Sequence, residues 1–362
     1  MKLTAPVNSI AAALAVTISA VEKRNTIPIL SHVLLNANGN RLTITASDLD
    51  LEVTTHVAAE IESDGIVTAN AATLMAALKK FSKTAEVSLE SATGHVVAKS
   101  GKSRVQISSL AADDFPRMPD ADYPANITCG SADIARLIGK TIFAVSTEET
   151  RYYLGGVYLH TDNGFMRAVS TDGHRMAVAT SPVPFDMPGV ILPSKAASHV
   201  LRLLDGTNFP VDLSVSETRV RFVFGETVIT TKLIDGTFPD YKLVIPTEIA
   251  LTATCDASDL ARIIDTVSIV SDERSNACTI NISDGVVYAT MYGSDNQRAE
   301  DQTDVECDGE YSIKFNSRYI LDTLSHIDGN ATIGFQAEST SSVTVHDDAD
   351  PDVIFVVMPV RA

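Results

Sequence analysis

Short runs of alternating apolar and polar residues cover most of the chain, and at six places the alternation gives way to a helical spacing. Val7, Ile10, Leu14, Ile18 and Val21 recur at helical intervals and predict an amphipathic helix near the N-terminus. The stretch Ser131-Ala132-Asp133-Ile134-Ala135-Arg136-Leu137-Ile138 is answered by Ala257-Ser258-Asp259-Leu260-Ala261-Arg262-Ile263-Ile264. Ile10 and Ile134, then Asp133 and Asp259, mark a repeat of 124–126 residues. Each of these helices leads into an alternating strand, at Ser31–Leu35, Gly156–His160 and Cys278–Ile282. A second helix is predicted in each repeat, over Ala71–Lys80, Ser194–Leu204 and Asn316–Ile327.

Between the helices, Asn38-Gly39, Asp64-Gly65, Asn163-Gly164, Asp284-Gly285 and Asp308-Gly309 are hairpin turns in sequence. The repeats end alike, at Asp114-Phe115-Pro116, Thr237-Phe238-Pro239 and Met358-Pro359, where proline cannot donate to a sheet ladder. The expected fold is α+β: three tandem modules of two helices and about eight strands, each of roughly 120 residues. Boundaries are expected at 1–121, 122–248 and 249–362. Strand edges left open at the end of one module invite pairing with the next, and a head-to-tail array that closes gives a ring.

Composition narrows the class. With 362 residues, 45% apolar and 20% charged, the chain is a soluble globular type too long for one core. Cys129, Cys255, Cys278 and Cys307 are scattered, with no CxxC pair, which argues against a zinc site or a disulfide framework and fits a reducing cytoplasm. Lys2 followed by an apolar, alanine-rich run resembles a secretory signal, but the helical spacing and the repeat favour an ordinary helix. No apolar run approaches the roughly 20 residues that span a bilayer. A formal charge of −18 excludes a basic DNA-coating protein, yet permits one cationic surface on an acidic molecule.

Enzyme motifs fail. Asp172 and His174 lack a GxSxG elbow, and Gly101-Lys102-Ser103 lacks the earlier glycine of a phosphate loop because Val96 stands there. No cofactor, metal or catalytic residue is expected.

Several motifs resemble the bacterial polymerase III β sliding clamp family over essentially the whole chain. They are Thr26-Ile27-Pro28-Ile29-Leu30, Arg151-Tyr152-Tyr153-Leu154, Thr171-Asp172-Gly173-His174-Arg175, Asp235-Gly236-Thr237-Phe238-Pro239-Asp240-Tyr241 and Val357-Met358-Pro359-Val360-Arg361. The resemblance implies a head-to-tail homodimer that closes into a ring, helices inside and sheets outside, around duplex DNA of any sequence. It implies a non-catalytic processivity factor, cytoplasmic and nucleoid-associated, that tethers the polymerase III alpha subunit. The clamp loader, repair polymerases, ligase and mismatch-repair proteins would share its partner groove, with no membrane partner.

Site residues follow from the same resemblance. Arg24, Tyr152, Tyr153 and Lys195 match positions where the family touches DNA, and Lys80, Arg136, Lys140 and Arg202, basic residues of the predicted helices, are expected there with them. The predicted helices and their ends also carry Lys23, Lys79, Lys83, Arg262, Arg274 and Arg318, and so hold nearly half of the 28 Lys and Arg residues. A groove for partner peptides would use Leu154, Thr171, Gly173, His174, Arg175, Met176, Pro239, Leu243, Val244, Val356, Met358, Pro359, Val360 and Arg361. Leu243, Val360 and the final Ala362 depart from the commonest family pattern. At the subunit interface, Lys102, Arg104 and Ile107 would meet Ile269, Val270, Glu300 and Asp301 of the other copy. The competing reading is a repeat-based protein–protein scaffold that never encircles DNA; primer extension on a circular template separates the two.

Overall fold

The structure is a computed structural model and describes residues 1–21, 26–271 and 276–360. They form six α-helices and 25 strands. The helices are α1 (Val7–Thr17), α2 (Ala71–Lys80), α3 (Ser131–Gly139), α4 (Ser194–Leu204), α5 (Ala257–Val267) and α6 (Ser317–Leu324).

Local chemistry explains the helix ends. Asn70 caps α2 by accepting the Thr73 N–H at 3.0 Å, and Asp256 caps α5 by accepting those of Ser258 and Asp259 at 2.9 and 3.0 Å. Asn316, expected inside the last helix, is instead its cap and accepts the Arg318 N–H at 3.0 Å. Helix α1 stops at Thr17, whose hydroxyl bonds back to the Leu14 carbonyl at 3.2 Å, and Ile18–Ala20 tightens into a 3₁₀ turn. Its Val7, Ile10 and Leu14 are buried, and the preceding strand Lys2–Pro6 pairs on both sides, so this segment is integral to the fold.

The chain divides into two compact units, Met1–Ala135 with Ser198–Leu233, and Arg136–Ala197 with Ile234–Ala362. Shared sheets explain a division that does not follow the sequence repeats. In the first unit an eight-stranded sheet runs Ala125–Gly130, Pro210–Val215, Arg219–Phe224, Thr227–Lys232, Leu51–Ala58, Arg41–Ser47, His32–Asn38, Gly65–Asn70. Its seam is antiparallel, with Thr227 opposite Thr55 and Thr231 opposite Leu51. A five-stranded sheet, ending at Ser103–Ser108, completes that unit. The second unit repeats the device: Arg175–Pro184 pairs with Asp350–Val357 at the seam of another eight-stranded sheet. A four-stranded sheet there ends at Arg298–Asp304 on one side and Tyr311–Asn316 on the other.

The repeat persists to atomic detail. Asp48 Oδ1 accepts the N–H groups of Asp50 and Leu51, and Asp172 Oδ1 accepts those of His174 and Arg175. The second residue of both turns is left-handed: Leu49 at φ 83° and Gly173 at φ 89°.

Candidate partner groove and nucleic-acid surfaces

In the second unit, sheet register builds a groove. Arg175 lies opposite Val357, which carries Met358–Val360 across the Thr171–Arg175 turn. The Met358 N–H donates to the His174 carbonyl and the Val360 N–H to the Lys314 carbonyl, both at 2.8 Å. Within the turn, the Gly173 N–H donates to Thr171 Oγ1 at 3.1 Å, and that hydroxyl donates to the Arg175 carbonyl at 2.8 Å. Glycine is favoured at 173 because its φ is left-handed; a Cβ would also lie 2.6 Å from a guanidinium nitrogen of Arg151, the end of a flexible side chain that would have to swing aside.

The resulting cavity, of about 920 Å³, is lined by Gly173, His174, Leu243, Val244, Met358, Pro359 and Val360 from the expected set. Leu154, Met176 and Val356 are not in its lining; they are buried in a core with Val169, Val178, Ile191, Phe238 and Tyr241. Thr171 and Arg175 shape the turn rather than line the cavity, and Pro239 is exposed outside it. Arg361 and Ala362 lie outside the described residues.

Arg175, expected as a polar handle, faces inward. Its side chain is 11% exposed, and its guanidinium carbon sits 5.3 Å from the Phe143 ring centre and 4.9 Å from that of Tyr319. Ion pairs to Asp172 (3.2 Å) and Asp322 (2.5 Å) consume its charge. His174 remains exposed and stacks on Tyr319, with ring centres 5.6 Å apart. The sequence reading missed Asn316, Tyr319, Gln336, the Ile245–Glu248 segment and the Thr340–Ser342 segment, which complete the lining. An aromatic at a non-core position of α6, beside buried Ile320 and Leu324, was the signal available for Tyr319. The cavity mixes apolar walls with a few convergent polar groups, the general make-up of a ligand-binding site.

Expected DNA-facing residues separate into two kinds. Lys79 and Lys80 end α2 and are exposed, as are Lys195 and Arg202 on α4 and Arg318 on α6. Arg202 donates to Ser19 Oγ and so keeps its guanidinium near the end of α1. Tyr152 is 59% exposed, and the half-buried Tyr153 meets it edge-on at 5.8 Å. Arg136 and Lys140, expected as presented cations, are instead engaged within the second unit. Arg136 Nε donates to Asp350 at 2.7 Å and its Nη1 to the Thr180 carbonyl at 2.9 Å. Lys140 pairs with the fully buried Asp347 at 3.0 Å. Burial alone would raise the Asp350 carboxyl, but Arg136 brings it below the ordinary range. Arg24, with Lys23 and Arg274, lies outside the described residues.

The expected interface residues fall on or beside two sheet edges and, for Ile269 and Val270, in the 3₁₀ turn Ser268–Val270 that follows α5. Lys102 and Arg104 are exposed beside and on Ser103–Ser108, and Glu300 and Asp301 lie on Arg298–Asp304. Asp301 also takes Arg262 at 3.0 Å, and Glu300 pairs with Arg298. Ile269 is 82% exposed, Val270 is half-buried, and Ile107 is not available to them: it is fully buried in its own sheet, its side of the strand facing the core. Burial pushes the thiols of Cys129 and Cys278 up to about 12 and that of Cys255 up to about 11, so they are inert hydrophobes. Among the described residues no cluster could hold a metal ion, and no helix is long and apolar enough to cross a membrane.

Comparison with known proteins agrees with this geometry. Descriptions of the DNA polymerase III beta subunit match in order: its N-terminal domain over residues 1–119, its central domain over 129–240 and its C-terminal domain over 242–361. The beta sliding clamp of Caulobacter vibrioides (strain NA1000 / CB15N) is 41% identical over all of both chains, and that of Escherichia coli (strain K12) is 32% identical over 93% of each. A crystal structure of the Caulobacter crescentus beta sliding clamp superposes with a TM-score of 0.95 at 41% identity, covering 100% of this chain and 99% of the other. The sliding clamp from Bartonella birtlesii, bound to griselimycin, superposes at 0.96 and 33% identity over the full length of both. Three consecutive domain matches, end-to-end identity and shared architecture establish that this chain belongs to the DNA polymerase III beta subunit family, the non-catalytic DNA sliding clamps that encircle DNA and tether the polymerase.

Proposed function

We propose that two copies of this chain perform the family's function as a head-to-tail ring, with Ser103–Ser108 of one copy pairing with Arg298–Asp304 of the other. The carrying observation is that these are terminal edges of the five- and four-stranded sheets, similar in length and opposite in charge. Lys102 and Arg104 stand on one, Glu300 and Asp301 on the other. Exposed ion pairs are worth only about 0–1 kcal/mol each, so strand pairing and burial of Ile269 supply most of the stability.

DNA is held topologically. Contacts from Arg24, Lys79, Lys80, Tyr152, Lys195 and Arg202 need only be weak and salt-sensitive, because a tight phosphate groove would impede sliding. Arg136 and Lys140 act mainly on the fold, through Asp350 and Asp347. The groove around Gly173, His174, Val244 and Met358 receives short peptides of a glutamine and bulky apolar residues. The polymerase alpha subunit, clamp loader, repair polymerases, ligase and mismatch-repair proteins present such segments in turn.

Retention on DNA tests the ring. Loaded onto nicked circular DNA by a clamp loader, the protein should co-elute with the circle in high salt and be lost when a single cut linearises it. Equal retention on circular and linear DNA excludes encirclement and returns the scaffold reading.

A further inference from the structure

We infer that Asp162, with His160 and Arg167, is a positioning residue for the groove: it holds Lys242 so that the Tyr241–Val244 turn presents Leu243 and Val244 to the cavity. The inference rests on the groove reading above.

The wall is poorly held by its own backbone. Tyr241–Val244 is a single 3₁₀ turn, and the N–H groups of Leu243 and Ile245 reach the Asp240 and Lys242 carbonyls at 3.4 Å. Its cap is also long, from the Lys242 N–H to Asp240 Oδ1 at 3.3 Å. Leu243 is 83% exposed, so burial scarcely holds it. Bonds of this length are weak, and a one-turn 3₁₀ segment has little cooperativity of its own.

Side chains hold it instead. Tyr241 is buried in the core, and its hydroxyl lies 3.0 Å from His160 Nε2. His160 Nδ1 is 3.2 Å from the Thr161 carbonyl and can only donate there, which leaves Nε2 to accept from Tyr241. The His160 ring stacks on Tyr158, and Tyr158 on Phe238, with centres 4.6 and 4.8 Å apart. Asp162 divides its oxygens: Oδ1 takes Lys242 Nζ and Oδ2 takes Arg167 Nη1, both at 2.6 Å.

The mount is rigid. His160 and Arg167 are direct cross-strand partners in a hairpin closed by Asn163-Gly164, both with positive φ. Asp162 is 16% exposed, and the hydrogen bond from Lys242 chiefly holds its carboxyl below the ordinary range. The hairpin therefore clasps the turn at two successive residues, Tyr241 from inside and Lys242 from the rim.

A fluorescein-labelled peptide of one glutamine and three bulky apolar residues serves as the probe, read by anisotropy on the full-length protein. Asp162→Asn and Lys242→Met should each weaken binding about two- to fivefold, and Lys242→Arg should bind like wild type. The double variant should be no weaker than Asp162→Asn alone, because the Asp162–Lys242 pair is already lost in that variant. Solution mass and retention on circular DNA should stay at wild-type values; Lys242→Met, whose ammonium is half exposed, should also keep the wild-type melting temperature, while Asp162→Asn, which loses Arg167 as well, should lower it slightly. Wild-type affinity in both single variants, additive losses, or losses that track the melting temperature would each overturn the clasp while leaving the groove intact. A wild-type protein that fails to bind the probe, yet is retained on circular DNA, overturns the groove reading and the clasp with it.

Discussion

Single positions show how backbone and chemistry are joined at the groove. Gly173 tolerates a left-handed φ and leaves space for the Arg151 guanidinium. Gly173→Ala should lower stability by about 1–2 kcal/mol and weaken peptide binding, both measurable by thermal melting and anisotropy. His32, His160 and His346 carry a second consequence. Burial lowers the pKa of each below the ordinary 6.5. Their folded values lie below the unfolded one, so the unfolded chain binds more protons as pH falls. Their contribution is fully present above about pH 6.5 and is lost as pH drops through that value toward the folded pKa values. Melting temperature should therefore fall between pH 7.5 and 5.5, and His160→Gln should reduce the slope; an unchanged slope would contradict the assignment.

At the level of elements, strands rather than helices decide connectivity. The helices are short, and their caps and buried faces account for their ends, whereas the strands choose partners from a neighbouring repeat. Thr227–Lys232 against Leu51–Ala58, and Asp350–Val357 against Arg175–Pro184, join segments far apart in sequence. Ser103–Ser108 and Arg298–Asp304 are each left as an edge of the five- and four-stranded sheets. Ile269→Asp, near the second edge, should shift the solution mass from dimer to monomer at micromolar concentration without lowering the monomer's helix content. Arg104→Glu should act in the same direction but less, as expected for an exposed charge.

For the whole molecule, the sheet seams mean that a sequence repeat is not a folding unit. A fragment ending at residue 121 would leave Leu51–Ala58 without its neighbour and expose an edge beside Leu51 and Val53, both buried in the intact chain. Such a fragment should aggregate or remain partly unfolded, as judged by light scattering and circular dichroism, and a fragment extended to Leu233 should do no better, because it restores this seam but leaves Arg175–Pro184 without Asp350–Val357.

The sequence by itself determined the three repeats, the helix pairs, the α+β class and the motifs around Gly173 and Pro239, because helical and strand periodicity and turn chemistry act over a few residues. It also pointed to seven of the residues that line the cavity. Only tertiary structure decided which charges are spent internally. Arg136, Lys140 and Arg175 read as surface cations, yet their carboxylates arrive from Asp350, Asp347 and Asp322, brought close by strand pairing across repeats. Leu154 went inward against Val356 and Phe238, and Ile107 into the core of its own sheet. Local pattern says which face of a strand is apolar; which neighbour covers it depends on contacts distant in the chain.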